Sequence, residues 1–328
     1  MDFDKLFASF KDIKVAVIGD VMLDTYWWGK VDRISPEAPV PIVAVSKREE
    51  RIGGAGNVAL NIQALGAAVS VLSVVGNDAE AGLLNALLKE NHINTDYMIN
   101  SSDRITTNKI RIIGRNQQMM RLDAEITRSL STTDEQNLLS AFEDYIKKES
   151  PSIVILEDYN KGVLTAAVIE KIIALCKANN ILTAVDPKRK NFFNYRYVDI
   201  FKPNLHEAKE GLNIISDEVT DELLMNIHHS LYEKLEQHIS LITLSEKGVF
   251  YQTEDQHLII PTHIRSIADV SGAGDTVIAV ASVVYAATKD VRLMAEMANI
   301  AGGLVCEEVG TVAIDKSRLL EECKQLLK

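Results

Sequence analysis

The sequence predicts an α/β fold, because short apolar runs alternate with helical patterns over much of the chain. The first run, residues 14–19, is followed directly by Asp20, as expected of a buried strand that ends in a loop. From Ser152 onward, strand and helix patterns alternate, which favours the α/β class. The strands predicted in this second half are residues 153–156, 181–185, 198–201 and 239–244.

Composition bounds the class of function. The 328 residues are 47% hydrophobic, enough for two domains or for one large α/β domain with an appendage. A net charge of −11 argues against a general nucleic-acid or anionic-membrane partner. The N-terminus lacks a signal-peptide pattern, and the longest uncharged apolar run, residues 277–288, is too short to span a bilayer. Three cysteines without Cys-x-x-Cys spacing indicate bystander thiols in a cytoplasmic protein.

The turn formed by Gly272, Ala273 and Gly274 is the most informative part of the sequence. It lies between a strand end and an apolar helix, and its glycines permit backbone conformations that a Cβ forbids. Amides of the turn and of the helix N-terminus can therefore converge on an anion. Asp275 stands where a Walker A loop has lysine. An acid there favours a general base for an incoming hydroxyl, and complementation of the helix dipole is the alternative.

This Asp-x-x-Gly-Ala-Gly-Asp pattern resembles the C-terminal signature of the PfkB (ribokinase-like) sugar kinases. Their N-terminal signature, Gly-Gly-x-x-x-Asn, is matched by Gly53, Gly54 and Asn57, and their Asn-x-x-Glu motif by Asn204 and Glu207. The resemblance covers nearly the whole chain. It implies a ribokinase-like fold, in which a mostly parallel central sheet has helices on both faces and carries a small β lid.

The glycines around residue 54 also allow another interpretation. Gly54-x-Gly56-x-x-Ala59, with Asp78 further on, matches a relaxed dinucleotide fingerprint and would indicate a nicotinamide oxidoreductase. Such a fingerprint must follow a buried strand directly, whereas residues 46–51 are a charge run. We therefore favour glycines that let the backbone approach a sugar, with Asn57 hydrogen-bonding its hydroxyls.

Polar residues near the other strand ends complete the predicted sugar site. Asp20 and Asp24 follow the first strand, where open α/β sheets bind ligands, and either could accept hydrogen bonds from sugar hydroxyls or cap a turn. The resemblance adds Asp158 and Lys161, which belong to an Asp-Tyr-Asn-Lys-Gly loop after another strand.

A predicted hairpin within residues 97–121 is strongly cationic. In an acidic protein this cluster favours a phosphorylated substrate, and an ordinary solvated strand edge is the alternative. Lys109 and Arg111 share one strand face and are the preferred phosphate ligands. The basic residues of the hairpin are Arg104, Lys109, Arg111, Arg115 and Arg121.

The nucleotide site is predicted at loops after the second-half strands. Asn204 and Glu207 fit a capping box, and the resemblance favours a further role for Glu207 in holding Mg²⁺ through water. Residues 243–248 resemble the family's Thr-x-Gly nucleotide loop, although Ser245 replaces the glycine. The ATP-binding residues implied are Asn204, Glu207, Thr243, Ser245, Gly248, Gly272, Gly274 and Asn299.

Within the family, four segments look most similar to the D-glycero-β-D-manno-heptose 7-phosphate kinases of lipopolysaccharide-precursor synthesis. The resemblance implies transfer of phosphate from ATP, with Mg²⁺, to the anomeric hydroxyl. A family member acting on a fructose phosphate, ribose or adenosine is the alternative, and a non-catalytic sugar-binding protein is a third. The four segments are residues 19–24, 33–40, 119–123 and 158–162.

The expected organisation is one kinase domain over residues 1–328 with a discontinuous lid from about 25–45 and 97–121. Three prolines within residues 36–41 agree with an excursion from the main sheet. We expect no nucleotidyltransferase domain in this chain. The family implies a homodimer clasped through the lid, with Trp27 and Trp28 exposed, and is compatible with a monovalent cation.

Overall fold

The computed structural model describes residues 1–114, 117–216 and 218–327 and contains fourteen strands among them. In chain order they are β1 (Lys14–Gly19), β2 (Val21–Ile34), β3 (Pro41–Gly54), β4 (Ala68–Leu72), β5 (Val74–Gly76), β6 (Ile99–Ser101), β7 (Thr107–Gly114), β8 (Gln117–Ala124), β9 (Ile153–Glu157), β10 (Leu182–Asp186), β11 (Ile200–Phe201), β12 (Ile239–Thr243), β13 (Val249–Gln252) and β14 (His257–Ile260).

Eight strands form the central sheet, in the order β14-β13-β12-β11-β10-β9-β1-β4. The six from β12 to β4 are parallel to one another, and only β13 and β14 at one edge pair antiparallel. This confirms the predicted mostly parallel sheet. The four strands predicted in the second half of the chain are β9 to β12, with boundaries that move by one or two residues.

Strand β1 shows why the sheet is covered on both faces. Val15 and Val17 point into one apolar cluster, while Ala16 and Ile18 point into a second cluster on the opposite face. All four side chains are fully buried, as the unbroken apolar run requires, because a parallel sheet with helices on both sides has no solvated face.

The helices divide between these two faces. Helices α1, α2, α3, α8, α9 and α10 contribute to the first cluster, and α4 to α7 to the second. No helix among the described residues is both long and apolar enough to cross a membrane. The helices are α1 (Phe3–Ser9), α2 (Ala55–Leu65), α3 (Ala79–Glu90), α4 (Thr132–Glu149), α5 (Ala166–Ala178), α6 (Leu205–Leu212), α7 (Asp221–Leu235), α8 (Ala273–Thr288), α9 (Val291–Val305) and α10 (Lys316–Leu326).

A separate four-stranded sheet, in the order β3-β2-β7-β8, forms the lid. The lid was predicted, but its boundaries differ from residues 25–45 and 97–121. Strand β3 continues to Gly54, so the charge run at 46–51 is an edge strand, where charged side chains discourage further strand pairing. The first residues of the predicted segment 97–121 do not join the lid, because β6 pairs with β5 in a small two-stranded sheet.

The exposure of the lid's side chains also differs from expectation. Trp27 and Trp28 are half-buried rather than exposed, and the Arg48 guanidinium lies 4.9 Å from the Trp27 ring centroid. Arg115, predicted to belong to the cationic hairpin, lies outside the described residues. The large apolar side chains that the lid does expose are Ile34, Val40, Val45, Met119, Met120 and Leu122.

Two glycines provide opposite tests of this fold. Gly248 has φ +99°, and a Cβ there would lie 2.0 Å from the Ile260 carbonyl oxygen, so Gly248→Ala should lower the free energy of unfolding by roughly 2 kcal/mol or more. Gly82 is an exposed residue inside α3 with no atom within 4 Å of a Cβ, so Gly82→Ala should raise it by about 0.5–1 kcal/mol. Urea denaturation measures the free energy of unfolding of each variant. A Gly248→Ala variant as stable as wild type, or a Gly82→Ala variant less stable than wild type, would contradict the backbone conformations described here.

Candidate active site

A cleft of about 1400 Å³ opens at the carboxyl ends of β10 and β12, where ligands of open α/β sheets bind. The first residues of α8 and the start of α6 form part of its wall. All the residues predicted for nucleotide binding and catalysis line it. They are Asn204, Glu207, Thr243, Ser245, Gly248, Gly272, Ala273, Gly274, Asp275 and Asn299.

The start of α8 depends on a glycine at its N-cap. Gly272 has φ +80° and ψ 0°, a left-handed conformation that L side chains rarely adopt. A Cβ at this position would also lie 2.9 Å from Nδ2 of Asn57. The turn therefore needs glycine for both its backbone conformation and its contact with α2, and it brings Asp275 into the first turn of α8.

Asp275 is 5% exposed, and protein donors reach both of its carboxylate oxygens. Asn57 Nδ2 donates to Oδ2 at 2.7 Å, and the Tyr159 hydroxyl donates to Oδ1 at 2.8 Å. Burial raises the pKa of Asp275 to about 6, although these two hydrogen bonds oppose the rise. The carboxylate is therefore ionised at neutral pH and more basic than an exposed aspartate, which suits a general base.

Further charged residues surround Asp275 at the neighbouring strand ends. Asp186 accepts from Lys202 Nζ at 2.8 Å and from Lys188 Nζ at 3.2 Å. Oxygens of Glu157, Asp186 and Asp275 lie within 4.8 Å of one another. Because two ammonium groups already compensate Asp186, we assign this cluster no metal.

Glu157 differs from its neighbours in having no partner. It is fully buried, and among the described residues neither carboxyl oxygen has a hydrogen bond. Burial, followed by the nearby Asp186 and Asp275, raises the pKa of Glu157 well above its usual range. Sequence reasoning gave no role to Glu157, Tyr159 or Lys202. Their positions at strand ends were the only signal.

Asn204 and Glu207 form the predicted capping box at the start of α6. Asn204 Oδ1 accepts from the Glu207 amide, and Glu207 Oε2 accepts from the Asn204 amide, both at 2.8 Å. Glu207 Oε1 also accepts from Lys188 Nζ at 2.7 Å. Protein donors thus reach both oxygens of Glu207, so this arrangement suits a cation contacted through water rather than a directly bound one.

The departure at Ser245 has a structural consequence. Ser245 has φ +57°, a left-handed conformation that glycine adopts more easily than serine, so the residue that replaces glycine here has a backbone conformation that favours glycine. Thr243 and Gly248 flank it on the cleft wall. At the other end of the cleft, Asn299 donates to the Pro261 carbonyl at 2.9 Å.

Asp20 and Asp158, both predicted to bind the sugar, accept hydrogen bonds from buried groups of the protein itself. The Asp20 carboxylate is buried and accepts from the amides of Tyr159, Lys161 and Val163 at 2.8–3.1 Å. This is the turn-capping alternative. Asp158 is also buried, and its carboxylate accepts from Asn191, Tyr195 and the Asn160 amide at 2.7–2.9 Å. Neither lines the large cleft.

Gly54, predicted to let the backbone approach a sugar, lies close to another part of the protein backbone instead. A Cβ on Gly54 would lie 2.3 Å from the Asp20 carbonyl oxygen, and its φ is +59°. Gly54 is the N-cap of α2, so the glycine is needed where β3 turns into the helix that carries Asn57.

The basic residues of the hairpin and of the loop after β9 have separate environments. Arg111 pairs with Asp24 at 2.5 Å, and Lys161 pairs with Glu125 at 2.7 Å. Among the described residues, no carboxylate oxygen lies within 4.0 Å of Lys109 Nζ, which lies 5.6 Å from the Tyr159 ring centroid. Burial, followed by the Lys161 charge, lowers the pKa of Lys109.

The two ends of the predicted cationic cluster serve the protein itself. Arg104 is buried and donates to the carbonyls of Arg128, Ile126 and Lys161. Arg121 forms a two-pronged pair with Asp123 on the exposed edge strand. Of the four basic residues of the hairpin that the structure describes, Lys109 is therefore the one whose charged group has no ion pair and no hydrogen bond to a protein carbonyl.

The model of the pfkB family carbohydrate kinases matches residues 12–317. The chain belongs to this family. The pfkB assignment confirms the predicted activity class, a phosphotransferase that uses ATP and acts on a sugar hydroxyl. It also accounts for the joint presence of both signatures in one site.

Curated pfkB relatives are longer than this chain. The bifunctional protein HldE of Aliarcobacter butzleri is 40% identical over 95% of this chain and 64% of that protein. HldE of Geobacter sulfurreducens is 37% identical over 97% of this chain and again 64% of that protein. The chain thus spans about 64% of the length of these two relatives.

Solved structures confirm the ribokinase-like fold. Phosphofructokinase-2 from Escherichia coli in complex with potassium matches with a TM-score of 0.79 at 15% identity, over 95% of this chain and 99% of that chain. Arabidopsis thaliana ribokinase complexed with ribose and ATP matches with a TM-score of 0.71 at 16% identity, over 94% and 99%. At these identities the matches concern the fold alone.

The raised pKa of Asp275 makes a prediction about stability. Between the ordinary aspartate pKa of 3.8 and about 6, the folded state holds a proton that the unfolded state has lost, so wild-type stability falls as pH rises through this window. Asp275→Asn does not titrate. Its free energy of unfolding, relative to wild type, should increase by up to about 3 kcal/mol from pH 4 to pH 7.

Urea denaturation of both proteins at several pH values measures this difference. Asp255→Asn, at an exposed turn between β13 and β14, is the control for loss of a carboxylate. A difference between Asp275→Asn and wild type that does not change with pH would contradict the prediction.

Proposed function

We propose that this chain phosphorylates the anomeric hydroxyl of D-glycero-D-manno-heptose 7-phosphate with ATP, giving the 1,7-bisphosphate for ADP-heptose and lipopolysaccharide-precursor synthesis. The observation that carries the kinase chemistry is the Asn57–Asp275 hydrogen bond, which joins the two family signatures in one site. The four similar segments and the relatives named HldE, at 36–41% identity, support the heptose substrate.

Asp275 is the base in this proposal. Its carboxylate takes the proton of the anomeric hydroxyl while that oxygen forms a bond to the γ-phosphorus of ATP. The bond from this phosphorus to the β–γ bridging oxygen breaks, and ADP leaves. Amides of Gly272 and Gly274 at the start of α8 stabilise the negative charge on the phosphoryl oxygens. The Ala273 amide, predicted to join them, instead donates to the Val270 carbonyl at 3.3 Å.

The nucleotide lies across the strand ends between the capping box and α8. Lys188 and Lys202 line the same cleft and supply positive charge for its phosphates. Glu207 would hold Mg²⁺ through water, because its own oxygens already accept from the Asn204 amide and from Lys188. Mg²⁺ neutralises phosphate charge when bound.

The sugar lies between the cleft and the lid. Asn57, Asp24 and Lys161 position its hydroxyls, and Lys109 binds its existing phosphate. Lys109 is favoured over Arg111 because Arg111 already pairs with Asp24. Closure of the lid excludes water, which would otherwise accept the phosphoryl group of ATP.

We also propose a cytoplasmic homodimer formed through the lid. The apolar side chains exposed there would gain from burial against a second copy. Residues 1–328 act as one kinase domain in this proposal, and the lid belongs to it as a discontinuous part.

Replacing the base should separate chemistry from binding. Asp275→Asn should lower kcat by roughly 10²–10⁴-fold, because no group then accepts the hydroxyl proton. ATP affinity, measured by calorimetry, should be retained. Asp255→Asn is the control. Near-normal turnover of Asp275→Asn would remove Asp275 as the base.

A substrate panel tests the sugar, and Lys109 tests its phosphate. Wild type should prefer the heptose 7-phosphate over free heptose, fructose 6-phosphate, ribose and adenosine in an ADP-release assay. Lys109→Ala should raise KM for the heptose 7-phosphate by about 10–100-fold and leave KM for ATP unchanged, because one charge-assisted contact to phosphate is lost.

Lys47→Ala, an exposed lysine on the same lid, is the matched control. Equal losses with phosphorylated and free heptose would contradict a phosphate role for Lys109. A preference for another sugar or nucleoside would overturn the heptose assignment. Turnover of a nicotinamide cofactor, or sugar binding without ADP release, would overturn the kinase proposal itself.

A further inference from the structure

Tyr159 stands out because it contacts the proposed base and has no role in the mechanism described so far. Its hydroxyl donates to Oδ1 of Asp275 at 2.8 Å, opposite the Asn57 amide on Oδ2. A carboxylate held by two donors on its two oxygens has a fixed plane. We propose that Tyr159 is a positioning residue that orients the Asp275 carboxylate toward the sugar hydroxyl, an inference that rests on the proposed function.

The backbone around Tyr159 is held in place by a single buried carboxylate. Asp20 Oδ2 accepts from the Tyr159 and Lys161 amides at 2.8 and 3.0 Å, and Oδ1 accepts from the Val163 amide at 3.1 Å. The tyrosine therefore reaches Asp275 from a rigid segment, so its hydroxyl can act as a fixed reference point for the carboxylate.

The ring of Tyr159 is also held from the side. Lys109 Nζ, from the lid, lies 5.6 Å from the ring centroid, and Lys188 Nζ, from the loop after β10, lies 5.7 Å from it. Ammonium groups at this distance are attracted to the face of an aromatic ring. Tyr159 thus contacts both Lys109, which is proposed to bind the sugar phosphate, and Asp275, the proposed base.

Tyr159 can only donate in this position. Burial, followed by the negative charge of Asp275, raises the pKa of Tyr159 well above its usual range, so the phenol stays protonated. Its hydrogen bond favours the ionised form of Asp275 and opposes the effect of burial. The groups that face Asp275 are Asn57 from α2, Glu157 from β9, Tyr159 from the loop after β9, Asp186 from β10 and Lys202 from the loop after β11.

Removal of the hydroxyl alone tests the inference. Tyr159→Phe should lower kcat roughly tenfold, with KM for ATP unchanged, because the ring remains but the carboxylate loses one of its two donors. The acidic limb of the pH–rate profile should move to higher pH by about one unit, because the ionised base is less stabilised.

Tyr195→Phe is the matched control. The Tyr195 hydroxyl donates to the buried Asp158 at 2.7 Å and does not contact Asp275. This variant should lower the melting temperature and leave the acidic limb unchanged. A second check uses the double variant: in an Asp275→Asn background, Tyr159→Phe should reduce kcat by less than twofold, because the two residues act as one unit.

The outcomes separate this inference from the proposed function. If Asp275→Asn is impaired while Tyr159→Phe keeps both the wild-type kcat and the wild-type acidic limb, the role of Tyr159 is overturned and the proposed base stands. If Asp275→Asn turns over normally, the base itself is wrong. Fully multiplicative losses in the double variant would overturn positioning in favour of a separate structural role.

Discussion

The hydrogen bond between Asn57 and Asp275 joins two parts of the chain that are 218 residues apart. It requires that α2 and α8 pack side by side on one face of the sheet, and both helices begin at glycines with positive φ. Those glycines are needed because each helix starts in close contact with other protein atoms. The fold thus brings the two glycine turns together, and the buried carboxylate lies at their meeting point.

Burial of that carboxylate requires compensation. Asp275 lies near two further buried acids, Glu157 and Asp186, and only Asp186 is paired with ammonium groups. The charge of Asp275 is stabilised by hydrogen bonds from Asn57 and Tyr159, not by an ion pair. The site therefore holds its charge mainly through dipoles, an arrangement that leaves the carboxylate basic. Direct pairing with a lysine would have lowered its proton affinity.

Much of the architecture followed from the sequence because it depends on local patterns. The apolar runs of β9 to β12 and the glycine turn at residue 272 carry their own signals. The extent of the lid was predicted less well, because β3 is an edge strand whose charges resemble those of a loop. Pairing of β6 with β5 is a tertiary choice that no local pattern specifies.

In the candidate active site, too, the placement of residues that belong to local motifs could be predicted, and that of residues whose contacts come from distant segments could not. Residues in motifs, such as Asn204, Glu207 and Asp275, line the cleft as their patterns indicated. Asp20 and Asp158 have the same residue type and a similar position after a strand, but their side chains turn into the protein. Sequence gives the position of a carboxylate along a strand, whereas its partners come from segments far away along the chain. Tyr159 was overlooked for that reason.

The junction between β1 and β2 has a mechanical consequence. Only Asp20 separates the last residue of the central sheet strand from the first residue of the lid strand. No flexible linker joins the two sheets at this point. A tilt of the lid relative to the central sheet therefore changes the backbone torsion angles at Asp20. Because the same residue anchors the segment that carries Tyr159, lid movement and the orientation of that tyrosine share one pivot. Such a linkage would couple a tilt of the lid to the hydroxyl that donates to Asp275.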